Sequence, residues 1–99
     1  MKLLTKAILS KLPKLYAQEK LGDDAIAYVK FFTPDSNWTW WITEFDGQDT
    51  FFGLCQGQEV ELGYSSLAEI SSAKGPLGLH IERDKFFKPT TLREIKAKL

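Results

Sequence analysis

Between Ala25 and Tyr64 the chain alternates β-favouring runs with short turn-forming ones, and this pattern limits the fold more than any other feature. Ala25 to Phe32 is rich in β-branched and aromatic residues, and Thr33-Pro34-Asp35-Ser36-Asn37 has the composition of a turn. Trp38 to Phe45 follows. Strand side chains alternate, so Trp38, Trp40 and Ile42 fall on one face and Thr39, Trp41, Thr43 and Phe45 on the other. Asp46-Gly47-Gln48-Asp49 is a hairpin loop, Thr50 to Cys55 returns, and Gln56-Gly57 turns the chain into a fourth strand, Gln58 to Tyr64. In that strand Val60, Leu62 and Tyr64 point one way and Glu59 and Glu61 the other, the pattern of a half-buried antiparallel strand. Short loops between consecutive strands make an antiparallel meander the simplest topology.

Helical signals lie outside this block. Leu4, Ile8 and Leu12 recur at four-residue spacing and Pro13 stops the pattern, which predicts a helix over about Thr5 to Leu12. Lys14 to Asp24 reads as an irregular connection. Ser66-Leu67-Ala68-Glu69 fits a capping box, in which the serine oxygen accepts an early backbone N–H. The helix it opens ends near Ala73, before Gly75-Pro76-Leu77-Gly78. His80 to Asp84 reads as a short strand or extended segment. Thr91-Leu92-Arg93-Glu94 repeats the capping pattern and opens a last helix with Leu92, Ile95 and Leu99 at helical spacing. The fold class expected is α+β: a four-stranded antiparallel meander flanked by an N-terminal helix and two short C-terminal helices. Its 99 residues suit one domain spanning 1–99.

Composition narrows function by exclusion. Thirteen Lys plus Arg balance thirteen Asp plus Glu, which removes the electrostatic argument for duplex DNA binding. One cysteine, Cys55, and one histidine, His80, supply neither a disulfide nor a zinc tetrad. Cys55 lies in an apolar run and reads as a small buried hydrophobe. No glycine-rich loop precedes a helix, so no nucleotide cofactor is expected, and the expectation is a chain without metal, cofactor or catalytic residues. Thr5, Lys6 and Ser10 interrupt any apolar run at the start, and no stretch approaches the ~20 apolar residues that cross a bilayer. A cytoplasmic location follows as an expectation, with no membrane partner. The Asn37-Trp38-Thr39 sequon is then a chance match.

Three constellations could carry chemistry. Glu44, Asp46 and Asp49 put three carboxylates in or beside one hairpin. Paired carboxylates can run hydrolysis or hold a cation, but the spacing fits no calcium loop and a turn explains the Asp and Gly residues. Three Trp residues stand within Trp38 to Trp41, and alternation sends at least one indole to the opposite face. If Trp38 and Trp40 face the core, Trp41 stands outward, able to stack a base or anchor a protein; the competing reading, slightly favoured, is that the terminal helices cover both faces and bury all three rings. Glu82-Arg83-Asp84-Lys85 reads first as a solvated strand edge or local ion pair, and alternatively as an arginine oriented by flanking carboxylates to meet a partner's carboxylate or phosphate. Trp41, Tyr64 and Arg83, with Glu82 and Asp84 orienting the arginine, are the expected partner-binding residues.

Several segments together resemble one family. They are Leu3-Leu4-Thr5-Lys6 with Leu12-Pro13, Val29 to Ser36, Trp38-Thr39-Trp40, Glu44-Phe45-Asp46-Gly47, Asp49 to Leu54, Glu59 to Tyr64, and Gly75 to Leu79 running into Ile81-Glu82-Arg83-Asp84. The chain resembles the bacterial family described as domain of unknown function 2958. His80 stands where that family often has proline and Cys55 where it often has an aliphatic residue, which weakens any catalytic role for either. The resemblance implies carriage by bacteria, plasmids and phages, and brings no catalytic residues. The function expected is a non-enzymatic protein-binding module of a mobile element, docking on a host or element-encoded protein. Inhibition of a host defence nuclease complex, in the manner of an anti-CRISPR protein, is one form of it. The alternative is a single-stranded nucleic-acid binder using Trp41. A small hydrolase acting through Asp46 and Asp49 ranks last.

Overall fold

A computed structural model describes residues 2–99. Its elements are α1 (Lys6–Lys11), 3₁₀ turns over Glu19–Asp24, β1 (Ile26–Ala27), β2 (Val29–Phe32), β3 (Thr39–Phe45), β4 (Thr50–Gln56) and β5 (Val60–Ser66). Then come α2 (Leu67–Ser72), β6 (Glu82–Arg83), β7 (Thr90–Thr91) and α3 (Leu92–Ala97). The α+β class and the meander order hold, but the sheet has five strands, ordered β5-β4-β3-β2-β6, not four. The fifth is the extended segment near Ile81, which pairs Arg83 with Phe31 and Glu82 with Phe32. The expected first strand is also broken. Ile26–Ala27 leaves the main sheet to pair with Thr90–Thr91 in a separate two-stranded ladder.

Helix starts follow the sequence closely. Thr5 Oγ1 accepts from Ile8 N–H, Ser66 Oγ from Glu69 N–H and Thr91 Oγ1 from Glu94 N–H, each at 3.2 Å. Each satisfies an amide with no partner inside its own helix. Thr91 does double work, pairing with Ile26 at the end of β7 and capping α3 at once. That ladder therefore lays α3 onto the sheet.

The sheet carries a separate apolar cluster on each face. One face holds Val29, Phe31, Ile42, Phe45 and Phe51 under Leu3, Ile70 and Ile81, with Ile8 and Leu12 of the N-terminal segment packed against them. The other holds Trp41 and Leu54 under Ala25, Ala27, Leu92 and Ile95. A β-bulge between Ile42 and Glu44 divides them. Simple alternation puts Phe45 beside Trp41; the extra residue at the bulge reverses the parity, so that Phe45 joins Ile42 and Glu44 turns to the Trp41 face. Gly53 sits opposite the bulge, where a Cβ would come within 2.0 Å of the Trp41 carbonyl oxygen. Among the described residues no helix is long and apolar enough to cross a membrane.

Candidate functional site

The strand β5 stands at one end of the sheet, and among the described residues no strand pairs beyond it. Its pairing with β4 fixes which backbone groups are free. Leu67 N–H donates to Asp49 C=O at one end (2.7 Å) and Gly57 N–H to Glu59 C=O at the other (2.9 Å). Given the continuous register between them, Glu61, Gly63 and Ser65 exchange hydrogen bonds with β4. The N–H and C=O groups of Val60, Leu62 and Tyr64 therefore point away from the sheet. The side chains keep the expected alternation but not the expected burial: Val60, Leu62 and Tyr64 are 44%, 47% and 58% exposed. The strand is apolar on one side and open there, because α3 packs over Trp41 and Leu54 and leaves Val60, Leu62 and Tyr64 exposed.

What borders this open half is the connection Lys14 to Asp24. Tyr16 sits at φ 72°, a backbone conformation that costs a non-glycine residue energy and persists only when neighbours hold it. Glu44 supplies that hold. Its Oε1 accepts Tyr16 N–H at 2.7 Å and its Oε2 accepts Gln18 N–H at 2.8 Å. Gln18 is itself buried; its Nε2 donates to the carbonyls of Ile26 and Thr43, both at 2.9 Å, and its Oε1 accepts Ile26 N–H at 2.7 Å. The bulge is what aims Glu44 at this connection.

Between the connection and β5 lies a cavity of about 190 Å³, lined by Tyr16, Gln18, Glu44, Phe52, Leu62 and Tyr64 among others. Tyr64 donates a long hydrogen bond to the Tyr16 hydroxyl (3.3 Å) and packs edge-on against Phe52, ring centres 5.2 Å apart. The hydrogen bond with Tyr16 is the chief cause that pushes the Tyr64 phenol up, and the negative charges of Glu19 and Glu44 add to it.

The expected contact residues separate. Trp41 is 7% exposed, so its outward placement is corrected: alternation does send it away from Trp40, but α3 covers the face it reaches. Lys30 Nζ lies 5.9 Å from its ring centre and 3.7 Å from Asp84 Oδ2. Arg83 stands on β6, at the far end of the sheet from Tyr64. Four strand spacings of ~4.8 Å put roughly 19 Å between those edges. Arg83 shares a face with Phe31, and its Nη1 donates to the carbonyls of Lys2 (2.6 Å) and Leu3 (3.1 Å). Register places Glu82 on the other face, with Phe32, and Asp84 pairs with Lys30, so the three do not form one charged surface with Tyr64. Trp38 and Trp40 stack with ring centres 6.0 Å apart, and Trp38 packs over Gly57.

The remaining groups are bound into the fold. Asp46 Oδ1 accepts from the N–H groups of Gln48, Asp49 and Thr50, which hold its carboxyl below the ordinary range. Asp49 accepts from Ser66 Oγ at 2.7 Å and Ala68 N–H at 2.8 Å, tying the hairpin to α2. Burial, then Glu61, pushes the half-buried Cys55 thiol up, away from the reactive thiolate. Among the described residues no three His, Cys, Asp or Glu side chains gather closely enough to hold a metal ion.

Sequence reasoning missed Tyr16 and Gln18, and grouped Glu44 with the hairpin carboxylates Asp46 and Asp49 and not with this connection. One signal was present: strict alternation puts Glu44 on the same face as Trp40 and Ile42, and a carboxylate on an apolar face marks either a bulge or a buried role. No curated protein and no solved structure matches the chain. The family model for a protein of unknown function (DUF2958) matches residues 3–96. With that model covering nearly its whole length, the chain belongs to this family.

Proposed function

We propose that the chain is a protein-binding module that takes an extended segment of its partner along β5. The observation that carries this reading is the open edge itself, with seven residues in β5, outward amides at Val60, Leu62 and Tyr64, and exposed apolar side chains on those same three residues. Folded proteins ordinarily shorten, charge or cover such an edge, because it pairs readily with any extended chain. Added strands gain main-chain hydrogen bonds from the edge and specificity from alternate side chains. A host or element-encoded protein is the partner class we propose, with inhibition of a defence nuclease complex as one consequence; that part rests on the small size of the chain and the plasmid and phage carriage the resemblance implies, not on geometry.

Nucleic-acid binding is the weaker reading. With Trp41 buried, the stacked Trp38 and Trp40 pair is one aromatic platform that remains, and Glu59 and Glu61 border the same hollow as Trp38. Carboxylates there repel phosphates.

Panning a displayed library of random heptapeptides against the protein tests the proposal. Enriched peptides are expected to alternate apolar and polar residues and to lose binding to Leu62→Pro, which removes an outward N–H without breaking the β4 ladder. Peptides that bind Leu62→Pro as well as the parent chain would refute docking at this edge.

A further inference from the structure

We infer that the cavity beside β5 is a receptor for a basic side chain, a lysine or arginine carried by the docked segment; this rests on the β5 docking reading and extends it. The cavity combines three features. Its lining includes two carboxylates, Glu19 and Glu44, and no lysine or arginine. Glu44 is 4% exposed, and among the described residues no cation forms an ion pair with it. A carboxylate buried with only amide donors is poorly compensated, and each of its oxygens keeps a lone pair free after the bonds from Tyr16 and Gln18. Three aromatic rings, Tyr16, Phe52 and Tyr64, stand around the same space. Ring faces attract a cation within about 6 Å, most strongly where water is excluded.

Position then specifies how the cation arrives. Leu62 and Tyr64 line the cavity and also carry the outward amides of β5. A strand paired with those amides lies ~4.8 Å away and sends every second side chain to the same face as Leu62 and Tyr64. A Lys or Arg there has a stem long enough to lie along Leu62 while its charged head passes between the tyrosines. The closing hydrogen bond between Tyr16 and Tyr64, at 3.3 Å, is longer than a strong hydroxyl pair, so parting the rings loses little. Side chains on the opposite face of the added strand meet Glu59 and Glu61, which also favours basic residues and disfavours acidic ones. The segment recognised is therefore extended, apolar in part, and basic at the position facing the cavity.

The test uses synthetic extended heptapeptides identical except at the central residue, which is lysine, arginine, norleucine or glutamate, titrated calorimetrically against the full chain. Lysine and arginine peptides are expected to bind about tenfold tighter than the norleucine peptide, with the glutamate peptide weakest. That ratio should collapse in Glu44→Gln and shrink in Tyr64→Leu. Because Glu44 also organises the connection, butylguanidinium is titrated into the parent chain as a separate arm. Shifts of the Tyr16 and Gln18 amide resonances, the two that donate to Glu44, are expected. Equal binding of the lysine and norleucine peptides, both sensitive to Leu62→Pro, would overturn the basic receptor while leaving the docking edge standing. Peptide binding insensitive to Leu62→Pro, or none at all, would overturn the docking edge. Butylguanidinium that leaves both amides unmoved would overturn the receptor.

Discussion

The face of the sheet that carries Trp41 is two regions built from the same strands. Over Trp41 and Leu54 it is closed by α3, which brings Leu92 and Ile95 down upon them. Over Phe52, Leu62 and Tyr64 it is open, bordered by the Tyr16 connection on one side and by Leu92 at the start of α3. Both regions carry aromatic and aliphatic side chains at alternate strand positions, so sequence character does not separate them. The separation comes from a two-residue ladder, β1 with β7, which fixes where α3 lies. An apolar strand position is core or contact surface according to what is parked over it.

The largest expected effect breaks this comparison on its closed side. Trp41→Ala should cost about 3–5 kcal/mol in denaturant unfolding, as large buried aromatics do. Tyr64→Ala, on the open side, should stay within about 0.5 kcal/mol. If the two substitutions cost alike, the face is one region and the distinction fails. A smaller effect is expected from the device that holds the cover. Thr91→Ala removes the cap on α3 and should cost about 1 kcal/mol, with faster amide exchange across Leu92–Ala97 and no change in β5.

The smallest effect concerns the ties from α3 to the 3₁₀ turns, Lys96 to Asp23 at 2.7 Å and Arg93 to Asp24 at 3.1 Å. The hydrogen bond from Lys96 holds the Asp23 carboxyl below its ordinary value. A depressed folded pKa stabilises the folded chain above the unfolded value of 3.8, and that contribution is lost as pH falls through the folded one. Amide exchange in α3 should therefore loosen modestly on acidification through that range, and Asp23→Asn should flatten the response. An unchanged profile would show that the ladder alone anchors the cover.

Much of the framework was legible because local chemistry dictated it. Ser66 and Thr91 each stand three residues before a glutamate and open a helix, and Asp46-Gly47 turns a hairpin. What escaped is non-local. Nothing in Thr43 announces a bulge, yet the bulge decides that Phe45 packs with Phe51 and that Glu44 faces Tyr16. The helical spacing of Leu92 and Ile95 reveals an apolar stripe but not the strand it will cover. The candidate site suffered most, since Gln18 read only as part of an irregular connection and Glu44 only as a hairpin carboxylate, and what joins them is a set of hydrogen bonds spanning twenty-five or more positions.

The outward amides of β5 bear on how the chain behaves when concentrated. A long unguarded strand edge is a template on which copies stack into insoluble ribbons, and flanking charges act as gatekeepers against that outcome. Glu59 and Glu61 are exposed beside this edge and hold that position here. In self-pairing registers that set glutamate against glutamate, like charges resist growth, whereas a basic guest is welcomed. The same two residues thus defend solubility and screen visitors, and neutralising them for convenience of purification would remove both safeguards together.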